Sequence, residues 1–372
     1  MKKTNISALL LAALLLIQLL CAPVSAVTAE PAADAQADAQ TASDNSAEDA
    51  AAEADSVPED QLLSSREQFS VAAKAALLID LNTNRVVYEQ DADERVYPAS
   101  LTKIMTCLIA LENGNLSDVV TVSESALADL DEDSSVAGLV VGEQMTLENL
   151  LYCMMVVSGN DACNVIAEHV AGSVTDFVRM MNQRAYELGC TNTHFNNPHG
   201  LHDESHYTTA RDLAIITQAA LKSENFRQIV DTYEYKLPDD NMRQNIPKLK
   251  TTNMLIYQSM SNSLYYPRAH GIKTGYTSQA GRCVISEATG DGLDLLGIVC
   301  GAATTVLDSG DLLMENFTEC ARLFDYGFDN YSYLTLMSPL YPVDQVKINN
   351  SAGAEAVAVA PEDEIKVLLP ND

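Results

Sequence analysis

Apolar positions recur along this chain at two different spacings, and the change between them divides it into strands and helices. Lys74 to Asp80 and Arg85 to Glu89 are short apolar-rich runs separated by Asn82-Thr83-Asn84, which predicts a hairpin. Next, Leu101, Ile104, Met105, Leu108 and Ile109 recur at helical spacing and predict a helix with one face in a core. Asn113-Gly114 is expected to stop it with a residue that tolerates the left-handed conformation. Helical spacing dominates to about Tyr266, most clearly in Thr146 to Met155, which opens on a threonine cap and carries an apolar stripe. Gly159 breaks the pattern there, and another helix is expected from about Asp161. Thr208-Thr209 caps a further one. Strand patterns then return in Ala269 to Thr277, Arg282 to Ala288 and Leu293 to Cys300, the last two turning at Thr289-Gly290-Asp291-Gly292. Asp311 to Phe324 reads as an amphipathic helix that covers a sheet through Leu313, Phe317, Cys320 and Phe324. Strands at both ends with helices between them predict an α+β fold. It is an antiparallel sheet of about five strands flanked by helices, plus a mainly helical subdomain.

The N-terminus has a different character. Met1-Lys2-Lys3, the apolar run Ile6 to Leu20 and the small-residue ending Val24-Ser25-Ala26 describe a secretory signal peptide over residues 1–26. The run is short for a membrane span, which takes about 20 residues. Residues 27–70 are rich in Ala, Asp, Glu and Ser with few large apolar side chains, and are expected to be a disordered acidic linker. The foldable body is residues 71–328. A β-rich C-terminal region, 329–372, follows, with strand-like runs at Val343 to Ile348, Ala354 to Val359 and Ile365 to Leu369.

The formal net charge of −30 argues against a nucleic-acid partner, and the linker carries about a third of it. Seven cysteines remain after the signal, widely spaced among apolar neighbours. They read as small buried hydrophobes rather than a disulfide framework, and no CxxC pair suggests zinc.

Candidate chemistry begins at Tyr97-Pro98-Ala99-Ser100-Leu101-Thr102-Lys103. Residues three apart on a helix lie about 5–6 Å from each other, so the Lys103 amine can reach the Ser100 hydroxyl. Taken alone, the pair is more often an N-cap serine beside a solvated lysine. Ser158 and Asn160 flank Gly159, so both side chains can point the same way from a tight loop. His194, His199, His202 and His206 cluster in one stretch. A metal site through the last three is conceivable, but Asn-Pro and His-Gly are turn signals, so no metal is expected.

Ser100-x-x-Lys103, Ser158-Gly159-Asn160 and Lys273-Thr274-Gly275, in that order, resemble the three-part signature of the penicillin-recognising serine enzymes. That signature carries an aspartate where this chain has Gly159. The surrounding phrases, Pro98 to Thr106, Asn197-Pro198-His199-Gly200-Leu201 and Gly271 to Thr277, are similar to those of the serine-type D-alanyl-D-alanine carboxypeptidases, the low-molecular-mass penicillin-binding proteins, where glycine is usual there. The resemblance covers roughly Ala72 to Tyr326.

It implies acyl transfer from a peptidoglycan pentapeptide ending in D-Ala-D-Ala, with β-lactams as inhibitors and no cofactor. Ser100 is then the nucleophile, Lys103 the general base and Ser158 the proton relay, while Asn160 holds Lys103 and the substrate amide. Burial and a nearby Lys273 cation are both expected to lower the pKa of Lys103. Lys273 and Thr274 are expected to bind the terminal carboxylate. Gly275 admits the substrate backbone along the strand, and the backbone N–H groups of Ser100 and Tyr276 form the oxyanion hole.

A class A β-lactamase shares the three parts but adds a water-activating glutamate, and the comparable stretch Thr191 to Asn196 has none. A catalytically idle wall-binding protein is the other alternative. Family members commonly end in a small β domain and an amphipathic membrane anchor. No basic amphipathic segment precedes Asp372, so membrane attachment stays open.

Overall fold

Five antiparallel strands form the central sheet of the computed structural model, in the order β2-β1-β5-β4-β3. They are β1 (Ala75–Asp80), β2 (Arg85–Gln90), β3 (Ala269–Thr277), β4 (Gly281–Gly290) and β5 (Leu293–Ala302). The structure describes residues 69–371 except 129, 131–133, 308, 309, 311 and 348–355. The signal-peptide and nearly all the linker expectations therefore lie outside the described residues.

Strands β1, β4 and β5 are buried almost throughout because both faces of the sheet are covered. Alternation sends Leu77, Ile79, Ile285, Leu296 and Ile298 to the helical side. Ala76, Leu78, Val284, Leu295 and Val299 go to the opposite side. The β4–β5 hairpin closes through Asp291 (φ 53°) and Gly292 (φ 82°), the positive-φ pair that a two-residue turn requires.

Among the described residues eight α-helices accompany the sheet: α1 (Lys103–Asn113), α2 (Glu124–Ala128), α3 (Leu147–Val156), α4 (Asn160–Ala171), α5 (Val174–Glu187), α6 (Ala210–Leu221), α7 (Glu224–Val230) and α8 (Glu315–Asn330). Thr146, Ser173, Thr209 and Ser223 cap α3, α5, α6 and α7 by accepting a backbone N–H with their hydroxyls. α1 runs through the interior, with Lys103 to Ala110 all buried. Packing therefore surrounds this helix rather than covering a single stripe.

Three expectations need correction. Gly114 ends α1 in an extended conformation (φ −104°), not a left-handed one. Its reason is space: a β-carbon there would lie 2.5 Å from Leu147 Cδ2. The last helix begins at Glu315, not Asp311, because Leu312–Met314 pairs instead as a strand with Thr304–Val306. The C-terminal region contains a strand that the sequence pattern missed, Tyr331–Met337, which follows α8 without a Gly or Pro to mark the change. Numbered β6, it pairs with β9 (Ile365–Pro370), while β7 (Asp344–Lys347) pairs with β8 (Ala356–Val359). Leu368, the Tyr333 hydroxyl bonded to Asp80 Oδ2, and Arg85 Nη1 donating to the Leu368 carbonyl fasten β6 and β9 to the sheet edge. No helix among the described residues is long and apolar enough to cross a membrane.

Phe317, Cys320, Leu323 and Phe324 of α8 close the outer face of the sheet. Phe324→Ala is expected to cost about 3–5 kcal/mol of unfolding free energy. Urea denaturation followed by circular dichroism measures it, and a cost below 1 kcal/mol would contradict the packing described.

Candidate active site

Pro98 and Ala99 (φ 47°) turn the chain into a short 3₁₀ segment, Ala99–Thr102, that runs directly into α1. Ser100 sits in that segment and Lys103 is the first residue of α1. The Lys103 side chain is fully buried, with Nζ 2.9 Å from Ser100 Oγ, 2.7 Å from Asn160 Oδ1 and 2.8 Å from the His199 carbonyl oxygen. Two of these partners are carbonyl oxygens, which only accept. A protonated amine would donate to all three oxygens, whereas a neutral amine would give the two carbonyls its N–H bonds and turn its lone pair to the Ser100 hydroxyl.

Burial pushes the Lys103 amine below its ordinary pKa, while the Asp161 carboxylate pulls it back up. Burial pushes Lys273 well down, and the Lys103 charge adds to the effect. Desolvation is the largest cause for both amines, and the repulsion between them disfavours charging both at once.

The His199 carbonyl is held by a turn that the sequence marked only as a loop. Asn197 Oδ1 accepts from Gly200 N at 2.6 Å, and Asn197 Nδ2 donates to the Leu201 carbonyl at 2.9 Å. Gly200 (φ 92°) lies so close to the Ser100 turn that a β-carbon would be 1.8 Å from the Ala99 carbonyl oxygen. Thr106 Oγ1 donates to the Pro198 carbonyl, which ties the same turn to α1. His206 Nδ1 accepts from Asn196 N, so its Nε2 carries the proton and donates to Thr102 Oγ1 at 2.8 Å. Burial brings His206 down to about 4 and His199 to about 3, so both rings are neutral at pH 7. Among the described residues, no group of three or more His, Cys, Asp or Glu side chains is placed to hold a metal ion.

Ser158 (φ 62°) and Gly159 form the elbow between α3 and α4, with Gly159 N donating to the Cys153 carbonyl. Asn160 N donates to the Ser135 carbonyl at 2.8 Å. Asp161, which the sequence reading did not single out, is almost fully buried and accepts from Ala137 N and Leu139 N. Together these bonds hold the segment from Ser134 to Leu139 against the elbow. A β-carbon on Gly159 would lie 2.8 Å from Asp161 Oδ1 and 3.1 Å from Ala137 N, so the backbone packing leaves no room for an aspartate there.

Edge strand β3 closes the site. A β-carbon on Gly275 would lie 3.1 Å from Ser100 N, so the strand passes directly behind the serine amide. Thr274 Oγ1 is hydrogen-bonded to Thr252 Oγ1 at 2.7 Å. Ser100, Ser158, Asn160, Thr274, Gly275 and Tyr276 line one cavity of about 480 Å³. Lys103 and Lys273 lie behind its wall, and Lys273 Nζ donates to the Thr274 carbonyl at 3.0 Å.

The sequence profile of the D-alanyl-D-alanine carboxypeptidases, peptidase family S11, matches residues 62–304. D-alanyl-D-alanine carboxypeptidase DacF of Bacillus subtilis (strain 168) is 37% identical over 284 residues, 74% of this chain and 67% of that protein. DacA of Haemophilus influenzae is 35% identical over 268 residues, 70% of this chain and 63% of that protein. The chain thus spans about two thirds of the length of these relatives. Penicillin-binding protein 5 of H. influenzae superposes with a TM-score of 0.64 at 29% identity, covering 81% of this chain and 83% of that one. A mutant of the Streptomyces K15 DD-transpeptidase gives 0.62 at 29%, covering 70% and 100%. These matches favour the carboxypeptidase reading over the β-lactamase and idle wall-binding alternatives. The chain belongs to the D-alanyl-D-alanine carboxypeptidase family of serine peptidases.

Proposed function

We propose that this protein removes the terminal D-alanine of peptidoglycan stem peptides, with Ser100 as nucleophile and Lys103 as its base. The observation that carries this reading is the Lys103 amine, buried within hydrogen-bond reach of Ser100 Oγ while two carbonyl oxygens take its other positions. In the first step Ser100 Oγ attacks the carbonyl carbon of the penultimate D-alanine and its proton passes to Lys103 Nζ. The backbone N–H groups of Ser100 and Tyr276 receive the oxyanion, where losing one donor costs about 2.7–4 kcal/mol of barrier. The C–N bond then breaks. The departing amine takes a proton through Ser158, whose hydroxyl lines the cavity without a hydrogen-bond partner among the described residues. Water hydrolyses the ester on Ser100 by the same proton route in reverse.

Two buried amines that repel each other disfavour holding two charges at once. An anionic substrate end near β3 favours the charge on Lys273 and the neutral form on Lys103. A β-lactam carries the same carbonyl and carboxylate and would acylate Ser100. The substrate lies in the cell wall, so the site acts outside the cytoplasm, with residues 1–26 as the export signal. In this reading residues 71–328 are the peptidase body.

Incubation with an N-acyl-D-Ala-D-Ala tripeptide is expected to release D-alanine, and Ser100→Ala to abolish that release. Absence of D-alanine from the unmodified protein would sink the proposal.

A second expectation concerns pH. The base must be neutral, so the benzylpenicillin acylation rate is expected to rise with pH through the lowered Lys103 pKa and then level off. Lys103→Ala should cost about 10²–10⁴ in that rate and remove the rising limb. Stopped-flow acylation across pH measures both, and a rate that falls as pH rises over this limb would contradict the role of Lys103.

A further inference from the structure

We propose that Cys283 and Cys300 are a dithiol pair that closes to a disulfide when the protein folds in the presence of a disulfide oxidant, stapling β4 to β5. The assignment is independent of the peptidase chemistry, which uses neither residue.

Register brings the two sulfurs together. β4 pairs with β5 so that Ile285 stands opposite Ile298 and Val284 opposite Val299. One step further along the same ladder Cys283 meets Cys300, just before the register shifts to Arg282 opposite Ala302. Directly opposed residues on antiparallel strands have Cα atoms about 4.5–5.5 Å apart, inside the span of about 4.4–6.8 Å that a disulfide bridges. Both side chains point to the helical side of the sheet and both are fully buried. Cys107, Cys153, Cys163 and Cys320 lie on helices and Cys190 in a loop, so none of them has a cysteine across a strand ladder.

The two thiols are hydrogen-bonded and unequal. The bond from Cys300 lowers the Cys283 pKa, burial opposes it, and the Gly301 N–H and the Lys74 ammonium add to the lowering. The same bond, with burial, pushes Cys300 well up. Cys283 is therefore the sulfur that carries thiolate, and Cys300 holds the proton. The pair lies near the strand ends: Gly281, Arg282 and Gly301 are half-buried, and the exposed Lys74 donates its backbone N–H to the Cys300 carbonyl. Fraying of these ends opens the pair to a small reagent.

The reaction is thiol–disulfide exchange. The Cys283 thiolate, its proton already given to solvent, attacks one sulfur of a low-molecular-mass disulfide and expels the other as a thiolate. That thiolate takes the Cys300 proton. The Cys300 sulfur then attacks the Cys283 sulfur of the mixed disulfide, and the second thiolate leaves and takes a proton from solvent. Two electrons pass from the cysteine pair to the reagent, whose one disulfide becomes two thiols. Cys283 also stands opposite Gly275 of β3, so the staple fixes the strand against which the catalytic edge is held.

The test refolds the reduced full-length chain in a glutathione redox buffer to its native circular dichroism. Remaining thiols are alkylated in denaturant, and the protein is digested with trypsin and a glutamate-specific protease, which cuts after Glu287, between the two cysteines. Mass spectrometry is expected to find the Cys283 and Cys300 peptides joined, about 2 Da lighter than the two thiol peptides together, and the other cysteines alkylated. In Cys283→Ser, Cys300 should be alkylated and joined to nothing. Both cysteines alkylated in the refolded protein would overturn the proposal, and so would either one joined to a different cysteine. If the chain does not refold, the natively purified protein is treated with diamide, a small diazene oxidant that takes up the two hydrogens itself, and the same outcomes decide.

Discussion

The site depends on one buried amine. Lys103 is fully buried, which lowers its pKa, and its direction is set by three oxygens from three parts of the chain. Ser100 comes from the turn before α1, Asn160 from the start of α4 and the His199 carbonyl from the loop before α6. A buried ammonium without matched partners costs several kcal/mol, so this convergence has to be complete before the interior can close around it. The same condition fixes the serine.

Much of the surrounding structure holds those three oxygens in place. Asn197 shapes the turn that presents the His199 carbonyl, and Gly200 lets that turn touch the backbone before Ser100. Asp161 and the Asn160 amide hold the Ser134–Leu139 segment on the α3–α4 elbow. Gly275 brings the edge of the sheet up to the serine amide. The sheet is stiff because β1, β4 and β5 are packed on both faces, so the position of β3 is inherited from the core. Catalytic geometry here is a consequence of close backbone packing at glycines and turns.

The parts legible in the sequence were those that recur as side-chain pattern. Alternation gave away the two hairpins, apolar spacing the helices, and the three short motifs the serine, both lysines and Asn160. What escaped had no such signature. The His199 carbonyl is a backbone group, invisible in residue type, and was legible only as the Asn197–Leu201 phrase. Lys273 is legible from the motif on the edge strand, but its burial and the bond from its amine to the Thr274 carbonyl are not. Gly114 and the start of α8 were misjudged because local preference was overridden by a neighbour, Leu147 in one case and strand Thr304–Val306 in the other.

The central claim is that Lys103 is neutral when it meets Ser100. Titration of its side chain by ¹³Cε NMR in lysine-labelled protein tests this directly, with the resonance identified by its loss in Lys103→Ala. The account predicts a midpoint well below the ordinary lysine value of about 10.4. A midpoint at or above that value would mean that the amine stays charged through the working range, and Lys103 could not be the base.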